Sequence, residues 1–292
     1  MAVLDETVSQ RCCFLSEEHF AQLYATFTEA FSDYVYPFAL TETQFRNHLI
    51  LNGVDLRRTA GCFANDRLVG FSLNGFGDWE GVPTVYDAGS GVIPSHRRQH
   101  ICESMFDMML PRLRADGIKQ CLLEVITSNT GALRLYEKLG FRMTRELALL
   151  QCDSFQVGFP VSPEVYVRPM DKPNWRLFST FWDGLPSWQN SLDAIGRSYK
   201  NKSVIGAFID GRCVGYTIYS SNYGRAAQMA VDKNYRQKGV GTAMLQAMRA
   251  GTAEGYSMQI INIDKGLPGA MQFFRDHGFY ERLSQYEMVV EL

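Results

Sequence analysis

The chain carries one unit twice. GCFANDRLVGF (61–71) and GAFIDGRCVGY (206–216) share Gly61/Gly206, Phe63/Phe208, Arg67/Arg212, Val69/Val214 and Gly70/Gly215 at a constant offset of 145 residues. Downstream, GVIPSHRRQHIC (91–102) answers AVDKNYRQKGVG (230–241) at an offset of 139, and GALRLYEKLGF (131–141) answers GAMQFFRDHGF (269–279) at 138. Three matches in the same order, with slowly shrinking offsets, are what duplication followed by small deletions leaves. Halves of roughly 145 residues are long enough to bury a core each. The expected domains are therefore 1–153 and 154–292, joined in QCDSFQVGFPVS (151–162), which contains Pro160, precedes Pro163 and has no hydrophobic period.

Within the first copy, SEEHFAQLYATFTEAF places Phe20, Leu23, Phe27 and Phe31 at helical spacing behind Ser16 and two acids. A second helix is expected over 43–51, then two alternating strands turning at Asn65-Asp66, and a third strand near 84–93. A helical pattern runs from Arg97 to Arg114, CLLEVI (121–126) reads as an apolar strand with one acid, and a helix over 130–139 stops at Gly140. The second copy repeats this order, with strands at 164–168, 203–221, 225–231 and 257–263 and helices within 172–197, at 238–252 and at 268–276. Such an order predicts an α/β (mixed α+β) class, in each copy a mixed sheet flanked by helices.

Composition narrows the partners. With 46% hydrophobic and 21% charged residues, a net charge of −2 and no dense Lys/Arg tract, the chain lacks a nucleic-acid footprint. Its seven cysteines are scattered, with neither C-x-x-C nor metal-ligand spacing to the five histidines, which predicts a reduced, cytoplasmic chain and no metal. MAVLDETVSQ lacks a basic segment followed by an apolar one, and no apolar run approaches the roughly 18 residues that span a bilayer, so no membrane partner is expected.

RQKGVG (236–241) follows a strand ending at Val231 and opens a helix. Glycines at such a turn let backbone approach a phosphate, whose charge the free amides of the helix N-terminus then meet. The same residues also suit a tight strand-to-helix turn. This arrangement resembles the GNAT N-acetyltransferase superfamily, whose Q/R-x-x-G-x-G/A element holds the pyrophosphate of acetyl-coenzyme A and whose later helix reads N-x-x-A-x-x-(L/F)-Y-x-x-x-G-F. The second copy has the first element intact, as Arg236, Gly239 and Gly241; the first copy has the second element intact, as Asn129, Ala132, Leu135, Tyr136, Gly140 and Phe141. The resemblance covers nearly the whole chain twice and implies two tandem GNAT folds, each a mixed, mostly antiparallel twisted sheet flanked by helices.

Each copy departs from the family where the other conforms. In the first, the loop is Arg97, Arg98, Gln99, His100, Ile101 and Cys102, with His and Cys in place of the small residues. In the second, Phe274 stands for Tyr136, Asn262 for Glu124 and Leu267 for Asn129. The resemblance implies coenzyme contacts from Val92, Ile93, Arg97 to Cys102 and Asn129 in one copy, and from Val231, Arg236, Gln237, Lys238, Gly239, Val240 and Gly241 in the other.

Acetyl transfer to an amine needs a base, an acid and an oxyanion donor. Glu124 and Tyr136, spaced as in ribosomal-protein alanine acetyltransferases, supply the first two, and a backbone N–H around Gly91 to Ile93 the third. Glu124 could equally be a strand-end acid paired to a base, and Tyr136 a half-buried aromatic. FSDYVYPFAL (31–40) offers Asp33, Tyr34 and Tyr36 as an acceptor wall, and GDWEG (77–81) offers Trp79; both stretches also read as core. The expected activity is acetyl-coenzyme A dependent N-acetylation of a small-molecule or peptide amine by a monomer or homodimer. Three alternatives stay open: catalysis in the second copy, a coenzyme-binding sensor without turnover, and acylation of a small non-amine acceptor or use of a longer acyl chain, since the fold alone does not fix the chemistry.

Overall fold

The computed structural model describes residues 10–34, 39–155 and 158–292. The chain folds into two compact units that do not follow a single cut. Unit 1 comprises Met1–Val125, Asn129–Thr144 and Glu287–Leu292, and unit 2 comprises Ile126–Ser128 and Arg145–Tyr286.

Unit 1 is built from β1 (Gln10–Phe14), α1 (Phe20–Ala30), α2 (Glu42–Asn52), β2 (Ala60–Ala64), β3 (Arg67–Trp79), β4 (Val82–Val92), α3 (Ile101–Ala115), β5 (Gln120–Ile126) and α4 (Thr130–Lys138). Strands β1 to β4 are antiparallel neighbours in order, and β5 joins β4 in parallel. Local chemistry sets the boundaries. Thr41 and Gln44 cap α2 reciprocally, and Gly53 ends it at φ 70°. The expected turn at Asn65-Asp66 joins β2 to β3, with Asn65 at φ 54°. Leu23 and Phe27 of α1 are buried, and the Phe27 ring packs 4.6 Å from that of Phe45 on α2.

Two elements differ from the sequence expectation. β1 was not expected, because QRCCF is too short to display a period; it earns its place by pairing along β2, Cys12 opposite Cys62. Helix α3 begins at Ile101 and not at Arg97, because Arg97 is extended and Arg98 and His100 are left-handed, so the chain turns helical only after His100 caps it.

Unit 2 contains most of β6 (Arg142–Cys152), then β7 (Tyr166–Pro169), α5 (Trp175–Ser179), α6 (Leu192–Ser198), β8 (Ser203–Ile209), β9 (Arg212–Ser220), β10 (Arg225–Val231), α7 (Val240–Ala250), β11 (Met258–Asp264), α8 (Pro268–Asp276) and the start of β12 (Tyr280–Glu291). Its strand order is β6-β11-β10-β9-β8-β7, antiparallel except for the β10–β11 pair. Met244, Leu245 and Met248 of α7 are fully buried, and Phe178 stacks on Tyr216 at 3.8 Å.

The duplication is visible in strand register. In unit 1 Ser72 faces Ser90 and Asn74 faces Asp87, with a bulge between; in unit 2 Thr217 faces Met229 and Tyr219 faces Ala226, again with a bulge. Ala226 is thus the counterpart of Asp87. Both copies of the sheet kink at the same place.

Candidate functional site

In each unit one strand parts from its parallel neighbour and runs into a loop that opens a helix. β4 pairs with β5 from Thr84/Gln120 to Asp87/Leu123, and β10 with β11 at Arg225/Gln259 and Ala226/Ile260; beyond these pairs the strands diverge. Ile93 N–H donates to Val69 O, and Asp232 N–H to Val214 O. Because direction alternates along an antiparallel ladder, the N–H of Val92 and of Val231 faces the diverging side.

The two loops adopt one shape despite different residues. Arg98 and His100 sit at φ 60° and 59°, and Gln237 and Gly239 at φ 59° and 75°. Left-handed residues alternating with ordinary ones turn successive amides toward one point, a concavity suited to an anion. A side chain in this conformation costs roughly 1–2 kcal/mol. Unit 1 therefore keeps the loop shape without any glycine.

An arginine clamps each loop. Arg97 donates to both carboxylate oxygens of Asp33 at 2.7 Å, to Ala30 O and to Val92 O. Arg236 pairs with Asp183 at 2.9 Å and donates to Phe181 O and Val231 O. These guanidinium donors are engaged within the protein and fix the loop from beneath.

Unit 1 places a phenol against a buried carboxyl where its strands part. Tyr136 O–H donates to Asp87 Oδ2 at 3.3 Å, Ser90 O–H donates to the same oxygen at 2.8 Å, and Gly89 N–H donates to Oδ1 at 3.0 Å. Asp87 is 5% exposed and Tyr136 7%. Burial pushes the Asp87 carboxyl up to about 6, against the three hydrogen bonds that favour its charge. Burial, and then the neighbouring Asp87, drive the Tyr136 phenol well above its usual range. The nearby Cys102 and Cys121 thiols are pushed up by burial too, which removes them as nucleophiles.

Unit 2 has no such pair. Phe274 replaces Tyr136 and Ala226 replaces Asp87, and both lie in one apolar cluster. Leu267 replaces Asn129. With Leu123 opposite Asp87 and Ile260 opposite Ala226, register assigns Ile261 to the place of Glu124; the Asn262 expected there belongs to a bulge at φ 54°. What unit 2 has is a cavity of about 760 Å³. It starts at Gln237, Gly239 and Gly241, passes between Gln228–Val231 and Asn262–Asp264, and ends on Trp182, Leu185 and Tyr216.

A model of the acetyltransferase (GNAT) family matches residues 19–141, and one of the acetyltransferase (GNAT) domain matches residues 200–281. The chain belongs to the GNAT family. Its two GNAT domains stand in tandem. Among solved structures, it is similar to a GCN5-related N-acetyltransferase from Sphaerobacter thermophilus, at 15% identity, 97% and 95% coverage of the two chains and a TM-score of 0.71. A tandem GNAT protein from the clavulanic acid biosynthesis pathway matches at 14% identity, 97% and 98% coverage and a TM-score of 0.71. A glucosamine N-acetyltransferase region of a fungal GH3 β-N-acetylglucosaminidase matches at 15% identity and a TM-score of 0.75, covering 98% of this chain and 38% of that one. These likenesses establish the fold. No curated protein matches the chain.

Against the GNAT expectation, the structure sorts the candidate residues. Ile93, Ile101 and Val240 bury their side chains in the core, so only backbone remains to offer. Ile93 N–H is engaged by β3, so within that stretch it is the Val92 N–H that faces the diverging side. Arg98, Gln99, His100, Gln237 and Lys238 are exposed, with His100 3.3 Å from Glu103 and Lys238 5.0 Å from the Tyr235 ring. Gly239 and Gly241 are required by packing: a Cβ on Gly239 would meet Pro160 O at 2.7 Å, and one on Gly241 the Phe273 ring at 2.8 Å. Asn129 caps α4 through Ala132 N–H and shares a hydrogen bond with Tyr34.

Glu124 lies on β5 directly after the last paired residue, half-buried. Tyr136 bonds Asp87, which stands opposite Leu123, so the alternation along β5 puts Glu124 on the opposite face of the sheet from Tyr136. Asp33 is bound to Arg97, which holds its carboxyl below the usual range, and so belongs to the loop clamp instead of an acceptor wall. Trp79 is buried at the β3–β4 turn, opposite Val82 and five residues along β4 before Asp87, or roughly 17 Å. It is not part of this site. Tyr36 lies outside the described residues.

Asp87 escaped the sequence reading. Its signal was an acid inside VYDAG, where the second copy reads RAAQ at the same offset of 139. Among the described residues no helix is long and apolar enough to cross a membrane, and no cluster of three His, Cys, Asp or Glu is placed to hold a metal.

Proposed function

We propose that the protein transfers an acetyl group from acetyl-coenzyme A to a primary amine of a small molecule or peptide, and that unit 1 carries the chemistry. The observation behind this reading is the Tyr136–Asp87 pair. A buried carboxyl and phenol are costly to maintain, and the sibling unit folds with Phe274 and Ala226 in their place, so the fold does not need them. Their position where β4 and β5 part suits a thioester lying in the gap, with its phosphates at the amides of Arg98 to Cys102.

In this mechanism Glu124 takes one proton from the substrate ammonium on the far face of the sheet. The free amine attacks the thioester carbonyl, the C–N bond forms, and the Val92 N–H donates to the developing oxyanion. As the C–S bond breaks, Tyr136 gives its phenolic proton to the departing sulfur. The second proton on nitrogen restores the phenol through water, and Glu124 releases its proton to solvent. Asp87 is a positioning residue that holds the Tyr136 hydroxyl in the gap.

The test is acceptor-dependent release of free thiol from acetyl-coenzyme A across a panel of amines. Replacing Tyr136 by Phe is expected to lower kcat by about 100-fold or more while KM for the coenzyme stays nearly constant. Unchanged turnover would move the chemistry out of unit 1.

A further inference from the structure

We infer that the cavity of unit 2 binds an acyl-coenzyme A whose acyl chain is longer than acetyl and holds it without transferring it. The coenzyme class rests on the function proposed above; the acyl length and the lack of turnover rest on the cavity itself. About 760 Å³ is a full ligand site. Every position that carries chemistry in unit 1 is apolar here, with Ala226, Ile261, Leu267 and Phe274 in place of Asp87, Glu124, Asn129 and Tyr136.

The polar groups at the far end are turned on one another. Trp182 Nε1–H donates to Tyr216 Oη at 2.6 Å, Tyr216 O–H to Gln228 Oε1 at 2.7 Å, Gln228 Nε2–H to the Asn190 carbonyl, and Asn190 Nδ2–H to Ile261 O at 2.6 Å. The chain of bonds ends on backbone. The Tyr216 hydroxyl proton and the Gln228 and Asn190 amides are thereby committed to one another and to backbone. Phe181, Leu185 and Pro186 extend this wall, and the polar side chains that also line the cavity are engaged elsewhere: Asp183 with Arg236, Asn262 with Gln285, Asp264 with Arg145 and His277 with Thr242. An aliphatic tail is the ligand that such a wall takes, while the loop from Gln237 to Gly241 at the other end suits the coenzyme's phosphates.

The two copies also supply matched blocking positions. A Cβ on Gly269, in the first turn of α8 and on the cavity wall, meets nothing within 4 Å, and one on Gly131, its counterpart on α4, approaches only Asn129 Oδ1 at 3.9 Å. Titrating the full chain with acetyl- and hexanoyl-coenzyme A by calorimetry is expected to reveal one site at which the longer chain binds on the order of 100-fold tighter, since each buried methylene contributes roughly fourfold. The series Gly269→Ala, Gly269→Leu and Gly269→Phe should weaken that site progressively, and Gly131→Phe should leave it intact. In a Tyr136→Phe chain incubated with amines, hexanoyl-coenzyme A should be recovered unchanged.

Equal affinity for the two thioesters would overturn the inference, as would a tight site that survives Gly269→Phe or steady acceptor-dependent loss of hexanoyl-coenzyme A in the Tyr136→Phe chain. A wild-type chain that binds hexanoyl-coenzyme A in unit 2 yet releases no thiol from acetyl-coenzyme A would refute the catalytic proposal for unit 1 and leave this one standing.

Discussion

Replacing Asp87 by Asn should make unit 1 more stable at neutral pH, relative to wild type, than the same substitution does in acid. The carboxyl moves from 3.8 to about 6 on folding because burial disfavours its charge. Near 1.4 kcal/mol per pKa unit, this shift corresponds to about 3 kcal/mol. The folded state binds the proton more tightly than the unfolded one, so the contribution is fully present below about 3.8 and disappears as pH rises through 6. Asn does not titrate, and its oxygen still accepts from Gly89 N–H. The stability of Asp87→Asn relative to wild type should therefore rise by about 2.4 kcal/mol between pH 4 and pH 7. Urea-dependent hydrogen exchange, followed on peptides from β4 and α4, measures unit 1 without unfolding of unit 2 entering. Asp33 and Glu103, whose carboxyls are lowered chiefly by Arg97 and Lys138, contribute the opposite slope in both proteins and cancel in the difference. Parallel curves for the two proteins across this range would refute the argument.

Three further outcomes follow from named contacts. Asp87→Ala and Tyr136→Phe should each cost unit 1 about 1–3 kcal/mol, and the double variant, which recreates the Ala226/Phe274 pair, should cost at least about 1 kcal/mol less than their sum, read by the same exchange experiment. His100→Gly should stabilise the start of α3 by about 1 kcal/mol by relieving a left-handed side chain, and a loss of protection there would contradict the loop geometry. Gly239→Ala should destabilise unit 2 by about 2 kcal/mol, seen as a lower Tm, because its φ of 75° and the Pro160 carbonyl both oppose a Cβ.

Much of the fold was legible because its determinants are local. The capping pair Thr41/Gln44, the turn at Asn65-Asp66 and the stop at Gly140 depend on neighbours a few residues away. Others depended on distant partners. β1 exists through its pairing with β2, and Arg97 reads as a phosphate ligand until its carboxylate partner, Asp33, appears 64 residues away. Motif spacing placed Glu124 and Tyr136 in one site, but only the pairing of Asp87 with Leu123 and the alternation along β5 put them on opposite faces.

By itself, the sequence determined that one fold occurs twice, with an amide-rich loop in each copy and a phenol in only one. Those properties survive in linear order because duplication preserves spacing and because turn and helix signals act over a few residues. Tertiary structure decided what each copy does with them. It set Asp87 behind Tyr136, held His100 in a glycine's conformation, assigned Ile261 to the place of Glu124 and opened a cavity in unit 2. Burial and strand register are sums over residues far apart in the chain, and these sums alone decide whether a carboxyl is a solvated charge or a buried acid.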